Sequence, residues 1–524
     1  MSLTIRTSLL VVAGLTITSS AALAQDVTFE QLLQRLQSTE QRLQELESQG
    51  TVNTFPASYQ NGDPLAVPPP TAPTEPMLDS EASESTDKFE ARLKKLEEGW
   101  EELDDAWSAF DKAEKKKKSD AAKKPTFKIN GRVHADFWSF TNDDDGEGFL
   151  ENPIGTANAG ADPQDRFAFR RVRLETKGDI FENMLWRLQV EFSDPNSTQF
   201  RDVYLGFKNL PNNQTLLIGN QKRPLGLDHL NSSRYNVFLE RPNVIEAFNE
   251  DARRPGVAVY GYSDDLKYNW RYGVYYLENI QNDGEAIGDS KQLSGNFRLA
   301  SSPWYDETSG GRGYWHWAVA GQVARPDGNR TADEDNQNDG RFRTRPEART
   351  TNRFLDTGRI DGAEWFQTAA VESLFNVGPL QITGEYQATF LQREGFQDVN
   401  FHGGYVYVSY ILTGEHIPYD RKSGTIGRLQ PAENFFLVDR TDGSTGRGWG
   451  AWGIAARYSY LDLTDKDIQG GVGSSATLAL NWYWNAYSKV QFNAIYGNID
   501  ERDATTGTTG ADYLIFGTRF AVEF

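Results

Sequence analysis

From Phe127 to Phe524 apolar and polar residues alternate with a period of two, the signature of strands that have one greasy and one polar face. Trp186, Leu188, Val190 and Phe192 oppose Arg187, Gln189 and Glu191. Leu380, Ile382, Tyr386 and Phe390 oppose Gln381, Thr383, Glu385 and Gln387, and Leu478, Leu480, Trp482 and Trp484 oppose Ala479, Asn481 and Tyr483. The chain closes the same way: Leu514, Phe516, Phe520, Val522 and Phe524 share one face, and Tyr513, Gly517, Arg519 and Glu523 the other. Sixteen such segments are predicted, near 127–140, 166–178, 185–193, 201–210, 214–222, 254–262, 267–278, 291–300, 314–325, 363–376, 379–393, 402–414, 450–463, 475–485, 488–499 and 512–524. Their polar faces carry Gln, Glu, Thr and Arg, which a dry core does not bury without partners. A wall with lipid outside and water inside satisfies both faces, whereas a β-sandwich needs one face dry. Tight connections (210–214, 375–379, 484–487) alternate with long polar ones (141–165, 223–253, 326–362, 415–449, 500–511). The expected fold is an all-β transmembrane one: a 16-stranded antiparallel outer-membrane β-barrel with periplasmic turns and long outer loops.

The first 126 residues follow other rules. Arg6, the apolar run Leu9–Ile17 and Ala22-Leu23-Ala24 before Gln25 read as a secretory signal over 1–24. In 25–49, Phe29, Leu32, Leu36, Thr39, Leu43 and Leu46 form a short heptad seam, compatible with a coiled coil or a plain amphipathic helix. Residues 50–87 hold Pro64, Pro68–Pro70, Pro73 and Pro76 followed by Asp, Ser and Glu, and read as a solvated linker. Over 88–118 a second seam, Phe89, Leu93, Leu96, Trp100, Leu103, Trp107 and Phe110, steps 4, 3, 4, 3, 4, 3. It is the better coiled-coil candidate, and its two tryptophans favour three or more strands. Lys115–Lys118 with Lys123 and Lys124 read either as a solvated helix end or as a contact for anionic lipid head groups. This helix–linker segment is expected in the periplasm.

Composition narrows the chemistry. Mean hydropathy is −0.62, and the mature part has no apolar run of about 20 residues to make a spanning helix. The absence of cysteine among 524 residues excludes disulfides and thiolate chemistry. A net charge of −20 argues against nucleic acid as a partner. From Thr126 onward there are 40 Lys and Arg against 53 Asp and Glu, and 31 of the 40 are Arg, the residue suited to oxyanions. His134, His229, His316, His402 and His416 have no metal-ligand spacing, and no nucleophile elbow, Walker loop or dinucleotide glycine pattern stands in context, so no enzyme and no cofactor is expected. The acidic runs Asp143–Glu147 and Asp333–Gly340 read as solvated outer loops rather than calcium sites; position twelve counted from Asp335 is Pro346, not Glu.

Several stretches, in order and spacing, carry a resemblance. They are Phe169-Arg-Arg-Val-Arg-Leu-Glu-Thr-Lys-Gly178, Asp202-Val-Tyr-Leu-Gly-Phe207, Ile218-Gly-Asn-Gln-Lys-Arg-Pro-Leu225 and Ser232-Ser-Arg-Tyr-Asn-Val-Phe-Leu-Glu-Arg241. With them go Arg253-Arg-Pro-Gly-Val257, Arg343-Thr-Arg-Pro-Glu347, Ser409-Tyr-Ile-Leu-Thr-Gly-Glu415 and Ala455-Ala-Arg-Tyr-Ser-Tyr-Leu-Asp-Leu463. Over about 127–524 the chain resembles the phosphate-selective porin O/P family of outer-membrane porins. The resemblance implies a sixteen-stranded barrel, usually trimeric, with loops folded into the lumen and selectivity for anions or phosphate.

The expected site is therefore a set of cations facing the lumen. Arg171 and Arg173 share a face opposite Val172 and Leu174, and Arg187, Arg298, Arg457 and Arg519 take the polar parity of their strands. Arg234 and Arg241 lie in the segment resembling the family's inward-folded third loop, Arg341, Arg343 and Arg345 alternate, and Lys222 follows a Gly-x-Gln pattern of the family. These groups either line the pore or pair with Glu175, Glu191, Glu240 or Glu347 to satisfy the wall. The expected function is passive diffusion of small solutes, anions such as phosphate foremost, through a water-filled hole in a lipid-embedded homotrimer. The alternative is a structural anchor whose N-terminal coiled coil trimerises and contacts the cell wall.

Overall fold

The computed structural model describes residues 80–121, 125–141, 144–194, 196–249, 253–278, 280, 291–327, 339–439 and 445–524. The expected signal, the 25–49 helix and the linker as far as residue 79 lie outside the described residues. Ser80–Ala121 is one helix, α1. It begins inside the stretch expected as linker, four residues after the last proline of that stretch, Pro76. Among the described residues no helix is long and apolar enough to cross a membrane.

The second unit is a closed antiparallel barrel of sixteen strands, each hydrogen-bonded to the next. They are β1 (Lys128–Phe140), β2 (Arg166–Asp179), β3 (Met184–Glu191), β4 (Gln199–Leu210), β5 (Gln214–Lys222), β6 (Arg253–Tyr262), β7 (Tyr268–Tyr276) and β8 (Leu293–Tyr305). Then come β9 (Gly313–Arg325), β10 (Ala363–Val377), β11 (Leu380–Arg393), β12 (Val399–Ile411), β13 (Ala451–Asp465), β14 (Ile468–Asn485), β15 (Ser488–Arg502) and β16 (Ala511–Glu523). Short helices lie in the connections: α2 (Asp145–Glu151), α3 (Leu227–Leu230) and α4 (Asn243–Phe248). Two strands outrun their expected ends by five residues or more. β8 continues to Tyr305, and β14 starts seven residues before the expected residue 475, because its Gly-rich opening Ile468-Gln-Gly-Gly-Val-Gly-Ser474 pairs with the ends of β13 and β15.

The alternation has the expected sense. On β16, Tyr513, Arg519, Ala521 and Glu523 are buried, whereas Phe516, Phe520 and Val522 are exposed, as is Phe524 after them. Exposed Leu, Val, Ile and aromatic side chains continue this outer belt around the wall, as a lipid-facing surface requires. The cylinder closes where β1 meets β16, from Arg132↔Glu523 to Phe140↔Ile515. Phe524 completes the seam: Gly131 N donates to its carbonyl at 2.7 Å and its own N–H returns to Gly131 O at 3.1 Å, while its ring covers Gly131. Deleting Phe524 is expected to lower the fraction of expressed protein that inserts into the membrane far more than it changes the conductance of channels that do assemble. Folded yield and single-channel recording measure the two sides; equal losses in both would contradict this.

One connection breaks the expected pattern. Residues 415–449 are polar and long, and were expected among the outer loops. Strand order corrects this: the 412–450 connection leaves an even-numbered strand, as do the tight turns 211–213, 378–379 and 486–487, so it lies at the end of the barrel that also holds Lys128 and Phe524. Its residues 417–428 fold back into the lumen. Tyr314 Oη donates to Ile417 O (2.7 Å), Arg271 Nη2 to Ser423 O (2.8 Å) and Arg298 Nη2 to Gly424 O (3.0 Å), while Arg421 reaches Leu266 O and Asp265 O in the β6–β7 turn. On the far side Arg428 pairs with Glu523 at 3.0 Å and donates to Ala486 O. The segment thus crosses the terminal mouth.

From the opposite end residues 223–249 of the β5–β6 loop also enter the lumen. Gly226, at φ +89°, turns the chain into α3; a Cβ there would lie 2.6 Å from Glu385 Oε2, which accepts from Leu227 N–H while Glu385 Oε1 accepts from Asp228 N–H. Val237, Phe238, Leu239, Val244 and Ile245 pack with Tyr405, Tyr407, Ile417, Tyr419 and Ile426 into a dry core inside the barrel. Gly517 makes room on β16 for Trp138 and Leu239, which come within 2.6 and 2.8 Å of where its Cβ would be. The two inward segments meet where Ile426 N donates to Asn231 Oδ1 at 3.0 Å.

Candidate functional site

With one side of the lumen filled by this core, the open space lies against β1–β7. It is a cavity of about 640 Å³, walled by those strands, by the 223–252 loop and by residues 345–353. Twelve arginines and Lys222 line it, against five carboxylates: Asp136, Asp194, Asp202, Glu240 and Glu246. Even-odd alternation explains how Arg132, Arg171, Arg173 and Arg187 reach it from the wall. A bulge adds one more: opposite His134–Ala135 the register passes from Arg171 to Phe169, and the extra residue, Arg170, also lines the cavity.

Of the expected cations, Arg171, Arg173, Arg187, Lys222, Arg241 and Arg345 line this cavity. Arg173 binds Glu191 at 2.5 Å, and Arg187 bridges Glu175 (2.5 Å) and Asp202 (3.3 Å). Arg241 contacts Asp228 at 3.1 Å, and Arg345 reaches Glu246 at 3.4 Å and Thr350 O at 2.8 Å. Lys222 gives its ammonium hydrogens to the carbonyls of His229, Leu230 and Asn231 at 2.6, 3.2 and 2.8 Å, which makes it a strut under α3.

The other six sit elsewhere. Arg298 is buried in a bond to Glu372 beside His316, where Tyr419 Oη meets His316 Nδ1 at 2.7 Å; this cluster fastens the 412–450 segment to the wall. Arg457 pairs with Glu347 at 2.5 Å and lies over the Phe238 ring, Arg341 forms a fork with Asp356, and Arg234 faces Glu523 at 3.9 Å. Arg343 pairs through its backbone with Asp356. Arg519, with 0% of its side chain exposed, forks onto Asp136 at 2.7 and 2.6 Å.

Sequence reasoning passed over Arg132, Arg170, Arg201, Arg253, Arg271, Arg349 and Arg353, all of which line the cavity. Parity on their strands would have found Arg132 and Arg271; a bulge and loop positions hid Arg170, Arg349 and Arg353. Three of these are weakly neutralised. Arg132 donates to Ser233 Oγ (2.6 Å) but pairs with no carboxylate among the described residues, and Arg271 stacks on Tyr260 and donates to a carbonyl. Arg349 has no hydrogen bond or ion pair among the described residues, and repulsion from Arg170, then burial, holds its guanidinium below the usual range. Among the described residues no group of three or more His, Asp or Glu could hold a metal ion. The second acidic run falls mostly outside the described residues.

A closed sixteen-stranded wall, loops folded inward and an arginine-lined lumen are the geometry of a channel. The family profile of phosphate-selective porin O and P matches residues 127–524. The chain belongs to that porin family. The porin is an outer-membrane β-barrel channel protein. A Caulobacter vibrioides protein described only as uncharacterized is 26% identical over 412 residues, which are 76% of this chain and 74% of that one. Solved structures similar to the porin include the anion-selective porin from Comamonas acidovorans (11% identity, 76% of this chain and 99% of that one, TM-score 0.43). Others are the outer membrane channel DcaP of Acinetobacter baumannii (11%, 76% and 97%, TM-score 0.42) and a loop L8 deletion mutant of OmpT of Vibrio cholerae (11%, 76% and 99%, TM-score 0.44).

Proposed function

We propose that the porin passes small anions, phosphate among them, by diffusion through its lumen. The observation that carries this reading is the imbalance of the cavity wall, twelve arginines and one lysine against five carboxylates. Such an excess in a narrow, low-dielectric passage concentrates anions and repels cations. Guanidinium forks also replace the water around an oxyanion by bidentate contacts. Arg132, Arg271 and Arg349, having the fewest counter-ions, are the best placed to do so.

In planar bilayers with a KCl gradient the reversal potential is expected to be set by Cl⁻, and added phosphate to reduce the Cl⁻ current where a neutral sugar does not. A potential set by K⁺ would refute the anion reading. Arg132→Gln combined with Arg349→Gln is expected to lower the Cl⁻-to-K⁺ permeability ratio several-fold with the barrel intact.

A second role, compatible with the first, is favoured by α1. Trp100 and Trp107 on its seam are 49% and 51% exposed, apolar surface suited to packing against helices of other copies. On this reading the N-terminal region lies in the periplasm, trimerises the porin and contacts the cell wall. Removing residues 25–125 should then weaken trimers or envelope attachment while conductance survives.

A further inference from the structure

Glu240, in the inward-folded 223–252 loop, has three guanidinium groups around its carboxylate. Arg170 grips it with both arms of the fork, Nε at 2.7 Å and Nη2 at 3.0 Å. Arg519 Nη2 reaches it at 2.8 Å and Arg171 Nη2 at 3.8 Å. These are the contacts an oxyanion in transit would receive, and Glu240 is the only carboxylate that Arg170 and Arg171 contact among the described residues. Burial alone would raise the Glu240 carboxyl, but Arg170, Arg171 and Arg519 hold it well below the usual range, so it is an anion.

The neighbours of Glu240 are fixed independently of its side chain. Leu239 is fully buried against Gly517 and Trp138, and its carbonyl accepts from Arg519 at 2.5 Å. Arg241 donates to Asp228 O and Asn231 O. The Glu240 backbone carbonyl accepts from Arg457 at 3.0 Å. With the backbone held on both sides, the carboxylate leaves the arginines by turning its side chain, without opening the loop.

We propose that Glu240 is a tethered counter-anion: its carboxylate occupies the strongest oxyanion position of the lumen, and permeating anions exchange with it on Arg170 and Arg171. A group on a short tether competes at a high effective concentration. It lowers the apparent affinity of the site for free anions and so speeds their exit, which a conducting site requires. The inference rests on the anion-channel reading and assigns to one residue the setting of its affinity.

The test compares wild type, Glu240→Gln and Glu240→Asp by single-channel recording in KCl, with inorganic phosphate as competitor. In Glu240→Gln the chloride conductance is expected to saturate at a concentration lower by on the order of ten-fold, the equivalent of one charge-assisted hydrogen bond. Half-block by phosphate should move down with it. Glu240→Asp, whose shorter arm keeps the charge but grips Arg170 less well, should fall between the two, and it decides the matter if the Gln variant does not assemble. Unchanged saturation in an anion-selective Gln channel would overturn the counter-anion. So would a larger, unselective conductance, because that marks Glu240 as a mere latch on the loop. A wild-type potential set by K⁺ would instead overturn the anion reading itself, before any variant is compared.

Discussion

Arg519→Met is expected to be among the most damaging single substitutions in the wall. Arg519 and Asp136 are cross-strand partners on the seam where the cylinder closes, with side chains 0% and 1% exposed. Removing the guanidinium leaves Asp136 buried without its fork and Glu240 short of one arm. Breaking a buried pair from one side costs about 3–5 kcal/mol. The folded barrel should lose its resistance to SDS at a markedly lower temperature than wild type, followed by heat-modifiable gel mobility. Asp136→Asn introduced with Arg519→Met should recover much of the loss, since the stranded charge is then gone. Equal unfolding temperatures for Arg519→Met and wild type would show that the seam does not depend on this pair.

Replacing residues 417–429 by a short Gly-Ser turn is expected to raise single-channel conductance several-fold. This stretch spans the terminal mouth from the β6–β7 turn, through Arg421, to Glu523 on the closing strand, through Arg428. It is fastened midway by Arg298 and by Tyr419 on His316. No strand of the barrel is removed by the change, so the wall should still close. An unaltered conductance would mean that ions never pass beneath the segment.

The wall was legible because a two-residue period survives wherever lipid faces one side and water or an inward loop the other, and most strand ends followed within a few residues. The opening of β14 was not, because Gly470, Gly471 and Gly473 carry no side chain to mark a face. The side on which residues 412–450 lie was hidden by composition, which resembles an outer loop; counting strands was the signal that could have revealed it. In the site, parity identified inward-pointing arginines, but not which are neutralised. Arg457 meets Glu347 110 positions away, and Arg519 meets Glu240 279 positions away, in loops whose path into the barrel no local pattern specifies.

The contacts of the closing strand also constrain the order of assembly. Arg519 needs Leu239 O and Glu240, and on the neighbouring strand Gln491 needs Asn236 O and Val237 O. Those acceptors belong to a loop that enters from the other end of the cylinder. β16 therefore cannot complete its bonds around an empty lumen. Zipping the seam reports that the interior has been loaded, and a barrel whose loop stayed outside would be left with its last joint weak and open to rejection.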